Sequence, residues 1–362
     1  QRDPGLWHLT ADPSAALQAD LTAGLGDRTP IRRRWLLAEA AGAPVGIAHT
    51  IQLPVPPIYA GAFGPPGLMM EASCVAETAP PGTHAALLAA AEADLTASGS
   101  QILLAASTPG DAWEEVFSAS GYAPITRYMA RSGLRAAPGP DGSTAERNAA
   151  QLAGLEPADR RSANPPQANP PQANPPISDS PDPPRAATTQ DIAEIVTLSA
   201  RHRQILHRLD GFWAPHPEAD ARFGAWMSKS RTLPDRDMIV TEFFTEIVTE
   251  IVTGQEGGLT GYAIAQPATA LHLPAPHDVG PVGFIDDFFH VALDDPQALP
   301  GRELIRRDAA ALLGAAETAL AARGKTAALV VCPAAWRSKT ALLADAGYRI
   351  ALSWSIKRGR SA

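Results

Sequence analysis

Cysteine is nearly absent from this chain of 362 residues, which has two, Cys74 and Cys332. Each sits in an apolar run of a different half, so neither a disulfide framework nor a cysteine-rich zinc site is supported, and the pair reads as two buried thiols of a reducing compartment. Long apolar runs are also missing. No stretch approaches the roughly 20 residues that span a bilayer. The segment Gln1 to Leu9 has no basic region followed by an apolar one, and the expectation is a soluble cytoplasmic protein without a membrane partner. Basic charge is scarce as well: 30 Lys and Arg stand against 38 Asp and Glu, for a net charge of -8. The one dense basic cluster, Arg32, Arg33 and Arg34, falls short of the sustained stripe that nucleic acid requires, and it reads as a solvated strand end. His202 and His207 lie five apart and so do not share a helix face as a metal pair would; no metal is expected.

What the chain has in excess is proline, 35 in all, against an ordinary globular apolar fraction of 45%. Between residues 136 and 185 apolar periodicity disappears, and the repeat Ala-Asn-Pro-Pro-Gln begins at Ala163, Ala168 and Ala173. Such a stretch cannot bury enough apolar surface to offset its ordering entropy, and it reads as a disordered, partly polyproline-II linker. The expected division is therefore residues 1–135, a linker at 136–185, and residues 186–362. A shorter repeat, Thr245-Glu-Ile-Val and Thr249-Glu-Ile-Val, alternates as a strand does and reads as a lengthened hairpin.

The segments flanking the linker resemble each other. Gly67-Leu-Met-Met-Glu-Ala-Ser-Cys-Val75 aligns with Gly283-Phe-Ile-Asp-Asp-Phe-Phe-His-Val291, acidic Glu71 falling opposite Asp287, and both read as buried strands. A helix rich in Ala and Leu follows each, Ala85 to Glu92 and Ala310 to Glu317, in a register that carries Leu95 onto Leu320 and Gly99 onto Gly324. Next come a short apolar strand, a second helix ending in Gly121-Tyr122 or Gly347-Tyr348, and a last strand. Upstream of each unit the pattern is helical and then a hairpin, around Ala41-Gly42 and around Gly257-Gly258. Order and spacing both persist, which marks a tandem duplication of a mixed α/β unit.

That element order resembles the GNAT (Gcn5-related N-acetyltransferase) superfamily over nearly the whole chain except the linker. The resemblance implies two acyl-CoA N-acyltransferase-like domains, each with a central strand splayed from its neighbour and acyl-CoA in the V-shaped opening. It also implies a loop of pattern Arg/Gln-x-x-Gly-x-Gly/Ala, whose free amides and helix dipole would receive the pyrophosphate. In the first copy, Gly82 takes the first glycine position after Val75, followed by Thr83 and His84, while Ala79 replaces the Arg/Gln. In the second copy, the stretch from Val291 to the helix is longer and carries Arg302, Arg306 and Arg307. These arginines either supply phosphate-binding charge in place of lost amides or form a solvated helix face.

By the same resemblance, Glu71, Asp286 and Asp287 stand where a base would deprotonate the attacking amine, whereas the tyrosine that would protonate the leaving thiolate is replaced by Phe117 and Leu343. Strand alternation would place Asp286 and Asp287 on opposite faces, with Asp287 favoured for the cleft. Asp210-Gly-Phe-Trp-Ala-Pro-His216 either lines an acceptor pocket or packs. Two functions follow as expectations: transfer of an acetyl group from acetyl-CoA to the primary amine of a small molecule or peptide, or a catalytically inactive protein of the same fold that binds a partner or serves as a scaffold.

Overall fold

The computed structural model describes residues 9–25, 32–135, 183–242, 258–269, 277–298 and 303–358. Most of the proline-rich linker and the Thr-Glu-Ile-Val repeat lie outside them. The first half runs α1 (Pro13–Leu25), β1 (Arg33–Ala40), β2 (Ala43–Gln52), β3 (Gly67–Met69), β4 (Cys74–Val75), α2 (Thr83–Ala97), β5 (Ile102–Ser107), α3 (Ala112–Ala119) and β6 (Ala123–Ser132). The second runs β7 (Arg185–Ala186), α4 (Ile192–Leu209), α5 (Ala219–Ser230), β8 (Asp237–Glu242), β9 (Leu259–Pro267), β10 (Val282–His290), α6 (Glu303–Ala322), β11 (Ala327–Pro333), α7 (Arg337–Asp345) and β12 (Arg349–Arg358). The architecture is mixed α/β, and the strands join in one mixed sheet of order β1-β2-β3-β5-β12-β6-β11-β10-β9-β8-β7, with β4 on β2.

In that order each half's last strand has crossed to the other half. β12 pairs with β5 of the first half, and β6 pairs with β11 of the second. Where β6 and β12 meet, the register is its own image. Tyr128↔Leu352 is matched by Thr126↔Trp354, Met129↔Ile350 by Pro124↔Ser355, and Ala130↔Arg349 by Ala123↔Ile356, with Arg127↔Ser353 at the centre. A pseudo-two-fold axis therefore passes through the middle of the sheet. Tyr128 and Trp354 are images across this axis, and their rings approach to 5.4 Å.

Packing beneath the sheet repeats residue by residue. A Cβ added to Gly67 would lie 2.8 Å from Leu95 of α2, and one added to Gly283 would lie 2.5 Å from Leu320 of α6. Gly46 and Gly261 stand in the same relation to Leu87 and Leu312, each at 2.9 Å. These glycines are bare so that a helix leucine can rest on the strand backbone. α4 takes the opposite face, since Gly261 meets α6 while its neighbour Tyr262 reaches Ser199 of α4.

The exchanged strands are also tied by charge. Lys357 on β12 donates to both oxygens of Glu92 on α2, at 2.7 and 2.8 Å, and Arg131 on β6 donates to Glu317 on α6 at 2.8 Å. Each glutamate thus binds a cation from the other half's last strand while lying beside the tyrosine of its own Gly-Tyr pair.

Three expectations are corrected. Gly67–Val75 is not one strand: Ser73 bonds back to Met70 through both its amide and its hydroxyl, and this turn separates β3 from β4. Cys74 is exposed, because it belongs to the two-residue strand beyond that turn, while Cys332 is buried. Arg32 and Arg34 are engaged with Asp94 of α2 at 2.7 and 3.0 Å, so the basic cluster holds a helix to β1 and its approach. Substituting Ala at Gly67 or Gly283 is expected to destabilise by about 1–3 kcal/mol through overpacking. Urea midpoints measure this; two unshifted midpoints would show that the leucines relax freely.

Candidate functional site

The site in the second half begins where β10 leaves β11. The two pair in parallel only from Val282 to Ile285. Against β9 the register then slips between Asp286 and Phe289. Asp287 occupies this bulge with φ 50°, a left-handed conformation uncommon for a residue with a side chain. Its amide donates to Asp286 Oδ1 at 3.0 Å, and Gln266 Nε2 donates to Asp286 Oδ2 at 3.3 Å. The bulge interrupts the alternation that was expected to separate the two acids, and both lie close enough to Tyr59 and Tyr262 to disfavour loss of their phenolic protons.

Burial, and next the charge of Asp287, raise the Asp286 carboxyl well above the usual carboxylate range. His202 of α4, buried and stacked on Phe289 at 5.2 Å, has Nδ1 3.5 Å from Asp287 Oδ1. Burial is the largest influence on its ring and lowers its proton affinity.

A side chain spans the opening between β10 and β11. Lys339 on α7, 2% exposed, donates from Nζ to the Phe288 carbonyl at 2.7 Å. Burial lowers its pKa. Trp336, fully buried, donates from Nε1 to the Leu293 carbonyl at 3.0 Å. The first half repeats the device: Trp113 of α3, 3% exposed, donates from Nε1 to the Ser73 carbonyl at 3.0 Å. Trp113 and Lys339 each stand eight residues before their Gly-Tyr pair. In both halves, then, the same position of the second helix donates to a backbone carbonyl, of the turn after β3 in the first and of β10 in the second.

Glu71 lies in the turn between β3 and β4, not on a strand. Burial pushes its carboxyl up to about 7. Glu71 and Asp286, one from each half, both bear on the phenol of Tyr128 beside the pseudo-two-fold axis. A loop of the first half completes the second half's site. Tyr59 forms an isolated bridge with Pro215; Ala60 donates to Ala214 at 2.7 Å, His216 to Ile58 at 2.9 Å, and Arg222 to the Pro57 carbonyl at 2.9 Å.

The residues expected at the cofactor loops are placed as follows. Val75 pairs with Gly46. Gly82 is the N-cap of α2 with φ 85°, open space around it and no side-chain cap. Thr83 is turned inward to the Pro80 carbonyl at 2.7 Å, and His84 meets the Trp113 ring edge-on at 4.7 Å. In the second half Val291 is buried at the start of a 3₁₀ turn, 291–293, capped by His290. Arg307 is exposed on the first turns of α6; Arg302 and the side chain of Arg306 lie outside the described residues.

Sequence reasoning missed Lys339, Trp113, His202, Tyr262, Tyr128 and Tyr59. The first two carried a signal, their common spacing to Gly-Tyr. Tyr59 carried none, because only the exchange of strands brings its loop to the other half. Among the described residues no group of three His, Cys, Asp or Glu is placed to hold a metal, and no helix is long and apolar enough to cross a membrane.

No family model and no curated protein matches the chain. Solved structures similar to it include a tandem GNAT protein from the clavulanic acid biosynthesis pathway, 14% identical, covering 97% of this chain and 92% of that one at a TM-score of 0.41. A GCN5-related N-acetyltransferase from Sphaerobacter thermophilus is 14% identical over 90% of this chain and 80% of its own, with a TM-score of 0.46. N-myristoyltransferase from Saccharomyces cerevisiae with bound myristoyl-CoA is 12% identical over 90% of this chain and 66% of its own, with a TM-score of 0.38.

The position of Glu71 makes stability depend on pH with a definite sign. Its folded pKa lies above the ordinary glutamate value of 4.5, so between the two the folded protein keeps a proton that the unfolded chain has released. This contribution is present below about pH 4.5 and declines as pH rises to about 7, by at most about 1.4 kcal/mol per unit. Replacing Glu71 with Gln is expected to flatten that decline in urea unfolding across the same window. An unchanged slope would assign the decline to other groups.

Proposed function

We propose that the chain is an acyl-CoA-dependent acyltransferase that moves an acetyl group from acetyl-CoA to the primary amine of a small molecule or peptide. The observation that carries this reading is a pair of acids, Glu71 and Asp286, one from each half, whose carboxyls burial raises toward neutral pH and whose charges both act on the phenol of Tyr128. A base whose pKa lies near the working pH is the useful one for taking a proton from an attacking amine. Asp286 is held by Gln266 and by the Asp287 amide. Asp287 stands beside it with side-chain exposure of 24%, open to an incoming group.

The residues fit the two ends of the cofactor unequally. At α2, Gly82 leaves room for an anion against the uncapped first turn, where Thr83 and His84 follow. In the second half Val291, Arg306 and Arg307 are the corresponding candidates. The openings themselves are spanned by Trp113 and Lys339, and a thioester enters either one only after that side chain moves. When bound, acetyl-CoA supplies the acyl thioester. The chain's own part is to accept the amine's proton at a carboxylate and to keep water from the buried centre.

The same two side chains support a second reading, a catalytically inactive protein of this architecture that binds a partner through its surface. Calorimetry with acetyl-CoA separates the two, using the whole chain, Trp113→Ala and Lys339→Ala. Acyl transfer predicts saturable binding that tightens about tenfold in one variant, the equivalent of about 1.4 kcal/mol no longer spent on displacing the bridge. Absence of binding by all three proteins, each shown to be folded, would leave the binding-module reading.

A further inference from the structure

At the end of the sheet where β7 is the outermost strand, the described residues form a recess of about 440 Å³. That volume falls within the roughly 300–1,000 Å³ of small-molecule sites. β7 is two residues long, and it pairs with Ile239 and Val240 of β8 beside the recess. α6 contributes Ala315, Ala319 and Ala322, three or four residues apart and so on one face of the helix. Their small side chains leave the space open, and Ile239 adds further apolar surface.

Three arginines and one carboxylate line this recess, in a chain whose net charge is -8. Two of the four charges are answered by neighbours. Arg185 donates to Asp191 at 2.7 and 2.8 Å and also to Glu242, while Asp237 receives Arg323 at 2.5 and 2.9 Å. The other two are not answered. Arg231 is exposed; among the described residues it forms no ion pair, and its guanidinium donates to Thr189 Oγ1 at 2.5 Å. Arg236 donates from Nη1 to Ser230 Oγ at 3.0 Å, which holds it beside the end of α5 that leads into Arg231. Its Nε is buried without a hydrogen-bond partner; Asp235, an exposed acid, stands 3.8 Å away, beyond hydrogen-bond reach.

A buried N–H without an acceptor is uncommon in a folded chain, and two guanidiniums answered only by hydroxyls have donors to spare. The guanidinium fork matches the two oxygens of a carboxylate. A bare inorganic anion would meet those donors and leave the alanine face in water, whereas a carboxylate with a hydrocarbon body would cover both. We propose that the recess between β7, β8 and α6 binds an aliphatic carboxylate, its head on Arg231 and Arg236 and its hydrocarbon against Ala315 and Ala319.

The test is calorimetric titration of the full chain with hexanoate, with hexanamide as the uncharged match and inorganic phosphate as an anion without a hydrocarbon body. Saturable binding of hexanoate is expected, at least about tenfold tighter than that of either control. Arg231→Gln should weaken hexanoate at least about tenfold, and Ala319→Leu, which fills the recess, should weaken it too. Arg337→Gln, which removes an exposed arginine from α7, should leave it unchanged. Circular dichroism checks the fold of each variant, and if Ala319→Leu does not fold, Thr318→Leu at the exposed neighbouring position takes its place with the same expected loss.

No saturation by hexanoate, equal affinity for hexanamide or phosphate, or undiminished affinity in a folded recess variant overturns the site. None of the residues lining the recess is among those proposed for acyl transfer, so the outcome with hexanoate and the outcome with acetyl-CoA are read separately.

Discussion

Everything in this molecule depends on the antiparallel pairing of β6 with β12. Each strand ends one half of the chain in sequence and lies in the other half in space, so neither β5 nor β11 has its outer neighbour without the opposite copy. The register across the pairing maps onto itself, register shifts included. Such symmetry follows when two similar units satisfy the same edge at once: each covers the hydrogen-bonding groups that the other would leave open. The reciprocal ion pairs, Lys357 with Glu92 and Arg131 with Glu317, reinforce the exchange at the helix layer.

The exchange also determines where polar groups are buried. At the axis Tyr128 and Trp354 pack at 5.4 Å, and the charges of Glu71 from one half and Asp286 from the other both act on the buried Tyr128 phenol. Glu71 and Asp286 are raised for the same physical reason, loss of water around the charged form. The halves reach this arrangement by different backbone routes: the first breaks its central strand with a turn closed on Met70, and the second keeps the strand and absorbs a bulge at Asp287.

The two halves differ in chemistry at one position of the second helix, eight residues before Gly-Tyr. Trp113 makes the first opening an aromatic cluster with His84 and Phe117, whereas Lys339 makes the second a polar one with Asp286, Asp287 and Cys332 as charged or ionisable neighbours. A tryptophan indole and a lysine ammonium share little beyond a donor on a long side chain. That donor is used identically, on a carbonyl released by the splay. The geometry of the opening has been kept while its chemistry has changed, and this is why the second half is the better place to look for a charged ligand.

Local periodicity was enough to read the order of strands and helices along each half, because that order involves neighbours a few residues apart and a spacing that repeats; the close packing on Gly67 and Gly283 was not legible, since it depends on which helix lies over each strand. Glu71, Asp286 and Asp287 were legible as acids inside apolar segments. Their surroundings were not. The turn at Ser73 and the bulge at Asp287 overrode the alternation that apolar content suggested. Cys74 was placed outside by a strand only two residues long. His202, Lys339 and Tyr262 join Asp287 from separate elements. Tyr59 joins them from the other copy altogether. The sequence by itself determined the order of strands and helices along each half, since that information is periodic and local, though not where the central strand of the first half breaks. Which unit each last strand would complete, and therefore which side chains share a site, was decided only by the tertiary structure, because pairing partners far apart in the chain are selected by shape and register across the sheet.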